Sequence, residues 1–219
     1  FTPDFLEFFK ELAANTHKEW FDENRKRYEK EVKDPFKRFV GDVIDEVKKY
    51  EPELLIAPKD AIFRINRDIR FAKDKTPYKT NVSALISPKG RKNHSYAAHY
   101  FELSPEHIGI YGGMYGGSTQ EVSAMRTHLS NHMAEYEKLT KDKNFKKHFP
   151  EGVQGEAQKR VPKELKDQAE KYPVLLNKQF YYHASLEPEL VYSDKLLPTM
   201  MEYYKASHDL KTFFRQPYD

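Results

Sequence analysis

Three observations predict an α+β fold for this chain of 219 residues. Apolar side chains recur at helical spacing over roughly the first fifty positions, alternate with period two after Pro58, and return to helical spacing after Ser118. Aromatic residues reach 14% in a chain that is 32% charged, which calls for a ring-rich core under a charged surface rather than a disordered polymer. No break in composition divides the chain, so residues 1–219 are expected to form one domain.

The elements follow in order. Thr2-Pro3-Asp4 has the pattern of an N-cap, a proline at the first helical position and a first-turn acid, with Phe5, Phe8, Phe9 and Leu12 behind it in helical register. Asn15-Thr16 ends this helix. A second is expected from about His17 to Glu31, with Trp20, Phe21, Asn24 and Tyr28 in register. Asp34-Pro35 opens a third, whose buried stripe is Phe36, Phe39, Val43, Ile44 and Val47.

From Ile62 to Phe71 the pattern becomes that of a half-buried strand. Phe63, Ile65, Ile69 and Phe71 share one face with Arg67 intruding, and Ile62, Arg64, Asn66, Asp68 and Arg70 share the other. Val82–Ile86, Ser95–Leu103 and Ile108–Tyr111 read as further strands, with a turn at Pro88-Lys89-Gly90. Short links between successive strands predict an antiparallel meander of about four to five strands once Gln179–Leu186 is added. Ser118-Thr119-Gln120-Glu121 is a capping box opening one long central helix through about Thr140, and Ser193 caps a C-terminal helix through about Phe214. Residues 141–171 are charged and weakly periodic, a loop with short helical pieces.

Charge narrows the function classes. The segment RINRDIRFAKDKTPYK, Arg64 to Lys79, carries six cations against two acids, while the other 203 residues carry 31 Lys and Arg against 32 Asp and Glu. The whole positive excess of a chain with net charge +3 is concentrated there. A net charge this small does not itself argue for nucleic acid; a local patch would have to. The chain lacks cysteine, which excludes disulfides and thiolate chemistry and fits a reducing compartment, and no apolar run is long enough to cross a membrane. A cytoplasmic protein without membrane contact is the expectation.

The same segment carries a resemblance. RINRDIRFAKDKTPYK resembles the signature of the family known as domain of unknown function 2461. Weaker matching pieces are Asn15…Trp20-Phe21…Asn24…Tyr28, the Gly113-Met114-Tyr115 turn, Arg126 and Lys159-Arg160-Val161-Pro162. Gly116-Gly117 departs from the proline common in that family after the turn. The resemblance implies a shared fold and a shared site and brings no activity with it.

Three readings of the basic segment compete. In the first, its arginines pair with Asp68, Asp74 and helix acids as a salt-bridged cover over the sheet. In the second, alternation sets Arg64, Asn66, Asp68 and Arg70 about 7 Å apart on one face. Guanidinium forks there suit phosphate or carboxylate, with Lys73, Lys75 and Lys79 just beyond. In the third, Asp68 or Asp74 acts catalytically, for instance by holding a metal. The expected ligand-binding set is Arg64, Arg67, Asp68, Arg70, Lys75, Tyr78, Lys79, Trp20, Asn24, Gly113 and Arg126. Asp68 is the candidate catalytic residue, and no metal site or cofactor is indicated. Tyr78 and Trp20 offer rings for stacking a base or sugar, core packing being the alternative. Tyr111–Glu121 is a strand, a glycine-rich loop and a helix start, which can cradle an anion or simply make a tight turn. His128 and His132 have metal-compatible spacing but lack the intervening acid and a third ligand. The expected partner is a phosphorylated small molecule, bound without turnover or turned over as a phosphoester or related anion, or else a protein or nucleic acid docked on the basic face.

Overall fold

The computed structural model describes residues 1–71, 73–159 and 161–219. Its fold is α+β, with four antiparallel strands in the order β1 (Val82–Ile86), β2 (Ala98–Leu103), β3 (Ile108–Met114) and β4 (Phe180–Leu186). Contacts group the residues into two compact units, each assembled from three stretches of chain.

The first unit contains Phe1–Arg91, Tyr100–Gly109 and Ser185–Met201. Helix α1 (Asp4–Ala14) buries Phe5, Leu6, Phe8, Phe9 and Leu12, the stripe its spacing predicts. Next come α2 (Lys18–Glu23), the short α3 (Arg25–Arg27) and a π-helical turn, Tyr28–Lys33, which runs without a break into α4 (Asp34–Lys48). The break expected between Glu31 and a new helix at Asp34-Pro35 is therefore absent. Lys33 keeps helical angles (φ −64°, ψ −49°), and the widened π turn falls where proline's missing N–H would interrupt a normal ladder. Helix α4 buries Phe36, Phe39, Val40, Val43, Ile44 and Val47, and the Phe36 and Phe39 rings meet Phe101 edge-on at 5.9 and 6.0 Å. The single turn α5 (Pro58–Ala61) follows.

Residues 62–71 form no continuous strand. They pair at two isolated antiparallel bridges, Ile62 with Ala84 and Asn66 with Tyr78. Between these bridges the return side takes six steps against four, so a regular ladder cannot run through. The face alternation nevertheless persists: Arg64, Asn66, Asp68 and Arg70 are exposed, and Ile65 is buried. Phe71, expected on the apolar face, is 95% exposed.

The second unit contains Lys92–His99, Ile110–Ala184 and Glu202–Asp219. The expected central helix is two helices, α6 (Thr119–Asn131) and α7 (Met133–Thr140). They part at His132 (φ −123°), whose amide is shared between the His128 and Leu129 carbonyls. The capping box forms as its sequence predicts, Ser118 with Glu121. Helices α8 (Lys143–His148) and α9 (Lys166–Lys171) occupy the charged stretch. Two bridges that periodicity does not reveal, Gln154 with Tyr181 and Ala157 with Asn177, lie beside β4. Met125, Leu129, Phe145, Phe149, Phe180, Tyr182, Phe213 and Phe214 form this unit's core, the last two from the C-terminal helix α10 (Leu196–Arg215). Among the described residues no helix is long and apolar enough to cross a membrane.

Candidate functional site

The basic residues of the 64–79 segment divide by what they already hold. Arg70 grips Asp68 through both ends of its fork, Nε at 2.9 Å and Nη2 at 2.6 Å, and this pairing pushes the Asp68 carboxyl down to about 2. Arg67 donates to Asp74 and, at 2.6 Å, to Thr76. The Thr76 amide and the Arg67 fork hold Asp74 below the usual carboxylate range. The Lys75 ammonium donates to the Ile69 carbonyl at 2.8 Å. Asp68 thus stays ionised at neutral pH, a weakly basic carboxylate with both oxygens already accepting from Arg70.

Arg64 differs. Its side chain is exposed, and among the described residues it has no hydrogen-bond or ion-pair partner. It lines a pocket of about 270 Å³ together with Phe21, Arg25, Tyr28, Glu29, Lys33, Ile65, Asn66 and Tyr78. Two chain segments build the pocket: the helical run α2–α3 with its π turn, and the bridged pair around Asn66 and Tyr78.

An aromatic wall forms one side. Tyr78 is buried and stacks on Phe21 (4.2 Å, 17°), Tyr28 meets Phe21 at 5.2 Å, and Phe8 backs both, at 5.6 Å from Tyr28 and 6.3 Å from Phe21. Burial, with Glu29 adding to it, pushes the Tyr28 hydroxyl up to about 12, so it is a neutral donor at physiological pH. Cations rim the opening. Arg25 lies 5.4 Å over the Phe21 ring and pairs with Asp22 at 2.6 Å, and Lys33 sits 3.6 Å from Glu29. These are surface pairs that an incoming anion can replace at small cost. The rim positions follow from helical geometry. Phe21, Arg25, Tyr28 and Glu29 recur three to four residues apart on one face, and the π turn brings Lys33 onto it.

The other expected residues lie elsewhere. Trp20 packs on Phe8 at 5.6 Å, and the Asn24 amide closes the end of α2 by donating to the Trp20 carbonyl at 3.0 Å. Lys79 is partly buried next to the pocket segment, with its ammonium 5.4 Å from the Phe63 ring centre. Burial first, then the nearby charges of Arg64 and Arg67, depress its pKa. Within the second unit, Arg126 is 4% exposed and donates to the Leu175 carbonyl (2.9 Å) and the Asn177 carbonyl (2.7 Å). Gly113 has φ +95°, and a Cβ there would collide with the Phe180 carbonyl oxygen. The start of α6 is filled by its own Glu121, whose carboxylate accepts from Ser95 (2.5 Å) and from the Ser118 amide (2.7 Å). Lys159 is exposed, and Arg160 lies outside the described residues. The His128 and His132 rings are 4.8 Å apart, and among the described residues no three His, Asp or Glu side chains are grouped to hold a metal.

Sequence reasoning missed Arg25, Glu29 and Lys33. Their signal is the i+4, i+8, i+12 spacing from Phe21, which the register of Trp20, Asn24 and Tyr28 obscured.

The chain belongs to the family described as conserved hypothetical protein (DUF2461), whose model matches residues 4–213. No curated protein and no solved structure matches it.

Proposed function

We propose that this member of the DUF2461 family binds a small anionic ligand, a phosphorylated molecule above all, in the pocket under Arg64. One observation carries the reading: Arg64 is a guanidinium with no hydrogen-bond or ion-pair partner among the described residues, placed at the rim of an aromatic-walled hollow. Its five donors, in a fixed fork, match a phosphate or carboxylate. Arg25 and Lys33 add charge from the opposite segment. A volume of about 270 Å³ lies near the lower end for ligand pockets and suits a phosphate joined to one small ring or sugar-sized group. The Tyr78 and Tyr28 faces supply the surface for that group.

The pairing pattern favours this reading over a diffuse basic docking face, because Arg70 is exposed, charged and already engaged while Arg64 is exposed, charged and, among the described residues, unpaired. Titration of inorganic phosphate into the protein, followed by amide chemical shifts, should locate binding at the pocket. R64A should weaken it about tenfold to a hundredfold, as loss of a charge-assisted fork predicts. R70A should leave it within about twofold, since a spent, screened cation contributes little. Equal loss in both variants, with steep salt dependence, would replace the pocket with a general basic surface.

A further inference from the structure

The pocket under Arg64 carries an acid as well as its cations. Among the described residues that line it, Glu29 is the only carboxylate, set on the rim between Arg25 and Lys33 and sharing the hollow with Arg64. Glu29 is loosely held. Lys33 lies 3.6 Å away, both side chains are half-exposed, and among the described residues no group donates a hydrogen bond to the Glu29 oxygens. The Asp22 carboxylate, outside the lining, is engaged more closely, by Arg25 at 2.6 Å and by Lys18 at 3.2 Å.

An incoming phosphate disturbs this arrangement in a definite way. Arg64 offers a fork with no partner among the described residues, and Lys33 leaves so loose a surface pair at small cost. Once Lys33 turns to the phosphate, Glu29 faces the bound anion without a counter-charge. Two like charges in one small hollow oppose each other, so a bare anion binds there against a penalty. A ligand that brings its own ammonium removes the conflict, because Glu29 exchanges one cation for another. The Tyr28 and Tyr78 rings line the same hollow and favour a cation against their faces. A volume of about 270 Å³ admits a phosphate and an amine joined through a short link.

We infer that the ligand is a phosphate ester of a small amino alcohol, with its phosphate on Arg64 and Lys33 and its primary ammonium donating to Glu29. This rests on the anion reading of Arg64 given above and adds a selectivity to it. Glu29 is the residue that favours amine-bearing phosphates and disfavours those that lack the amine.

O-Phosphoethanolamine and propyl phosphate are the probes, alike in phosphate and chain length and differing by an ammonium in place of a methyl group. Each is titrated into the protein at low salt and followed by amide chemical shifts. Both should bind at the pocket, phosphoethanolamine about threefold to tenfold more tightly, for one half-exposed ion pair gained and one like-charge contact avoided. E29Q, which keeps the shape of the side chain, should weaken phosphoethanolamine and strengthen propyl phosphate until the two agree within about twofold. R64A should weaken both about tenfold to a hundredfold, as for inorganic phosphate. Propyl phosphate binding as tightly as phosphoethanolamine to the unaltered protein overturns the inference, and so does a preference that survives in E29Q. If propyl phosphate still binds through Arg64 in that case, the anion pocket stands and only the role of Glu29 falls. Binding of neither probe, with inorganic phosphate silent too, ends the anion reading and the inference with it.

Discussion

Replacing Arg126 with methionine separates structure from binding in the second unit. The guanidinium is 4% exposed and makes two hydrogen bonds, to the carbonyls of Leu175 and Asn177 at 2.9 and 2.7 Å. Methionine keeps most of the apolar stem but donates nothing. Each charged-donor bond is worth about 1.5–3 kcal/mol, so losing both costs about 3–6 kcal/mol. Part is recovered, because burial makes the guanidinium itself costly, as its lowered pKa shows. The net loss should be about 2–4 kcal/mol, or roughly 5–15 °C in melting temperature for a chain of this size. Urea unfolding read by circular dichroism, with scanning calorimetry beside it, measures this. Phosphate affinity at Arg64 should stay unchanged in the folded variant. A destabilisation below about 1 kcal/mol would show that water replaces the guanidinium at those carbonyls and would refute the structural role.

Two further outcomes test local geometry. Burial and the neighbouring His132 hold His128 below its ordinary value of 6.5, with Glu135 and the Phe213 backbone opposing. The unfolded chain then binds a proton that the folded chain resists. This contribution to stability is present above pH 6.5 and lost as pH falls toward the folded value, so H128Q should flatten the stability profile between about pH 7 and 5; parallel profiles for the two proteins would contradict it. G113A combines a positive φ with a collision at the Phe180 carbonyl, so it should cost more than about 2 kcal/mol or prevent folding, whereas full stability would show that β3 and β4 can move apart there.

What the sequence discloses follows from the range of each signal. The stripes of α1 and α4 were legible because burial imposes a local 3.6-residue period. The capping box at Ser118 was legible because its two partners are three residues apart. The basic segment announced itself through charge, and its alternation survived although the ladder did not, since exposure depends on local backbone direction while pairing depends on the return strand. Which arginine is free was not legible. Arg67 finds Asp74, and Arg70 finds Asp68, through loop geometry that no periodicity encodes. The helical half of the pocket was missed because Arg25, Glu29 and Lys33 are ordinary exposed helix residues until the 64–79 segment is laid beside them. The π turn that brings Lys33 into line has no sequence signature as plain as a cap.

The most direct test of the pocket is to follow the arginine Nε–Hε resonances by proton–nitrogen correlation NMR while inorganic phosphate is added. The Arg64 signal should move saturably, with Arg25 following, while Arg67 and Arg70 stay fixed on their carboxylates. Movement of Arg70 without Arg64, or a uniform unsaturated drift of all four, would contradict it.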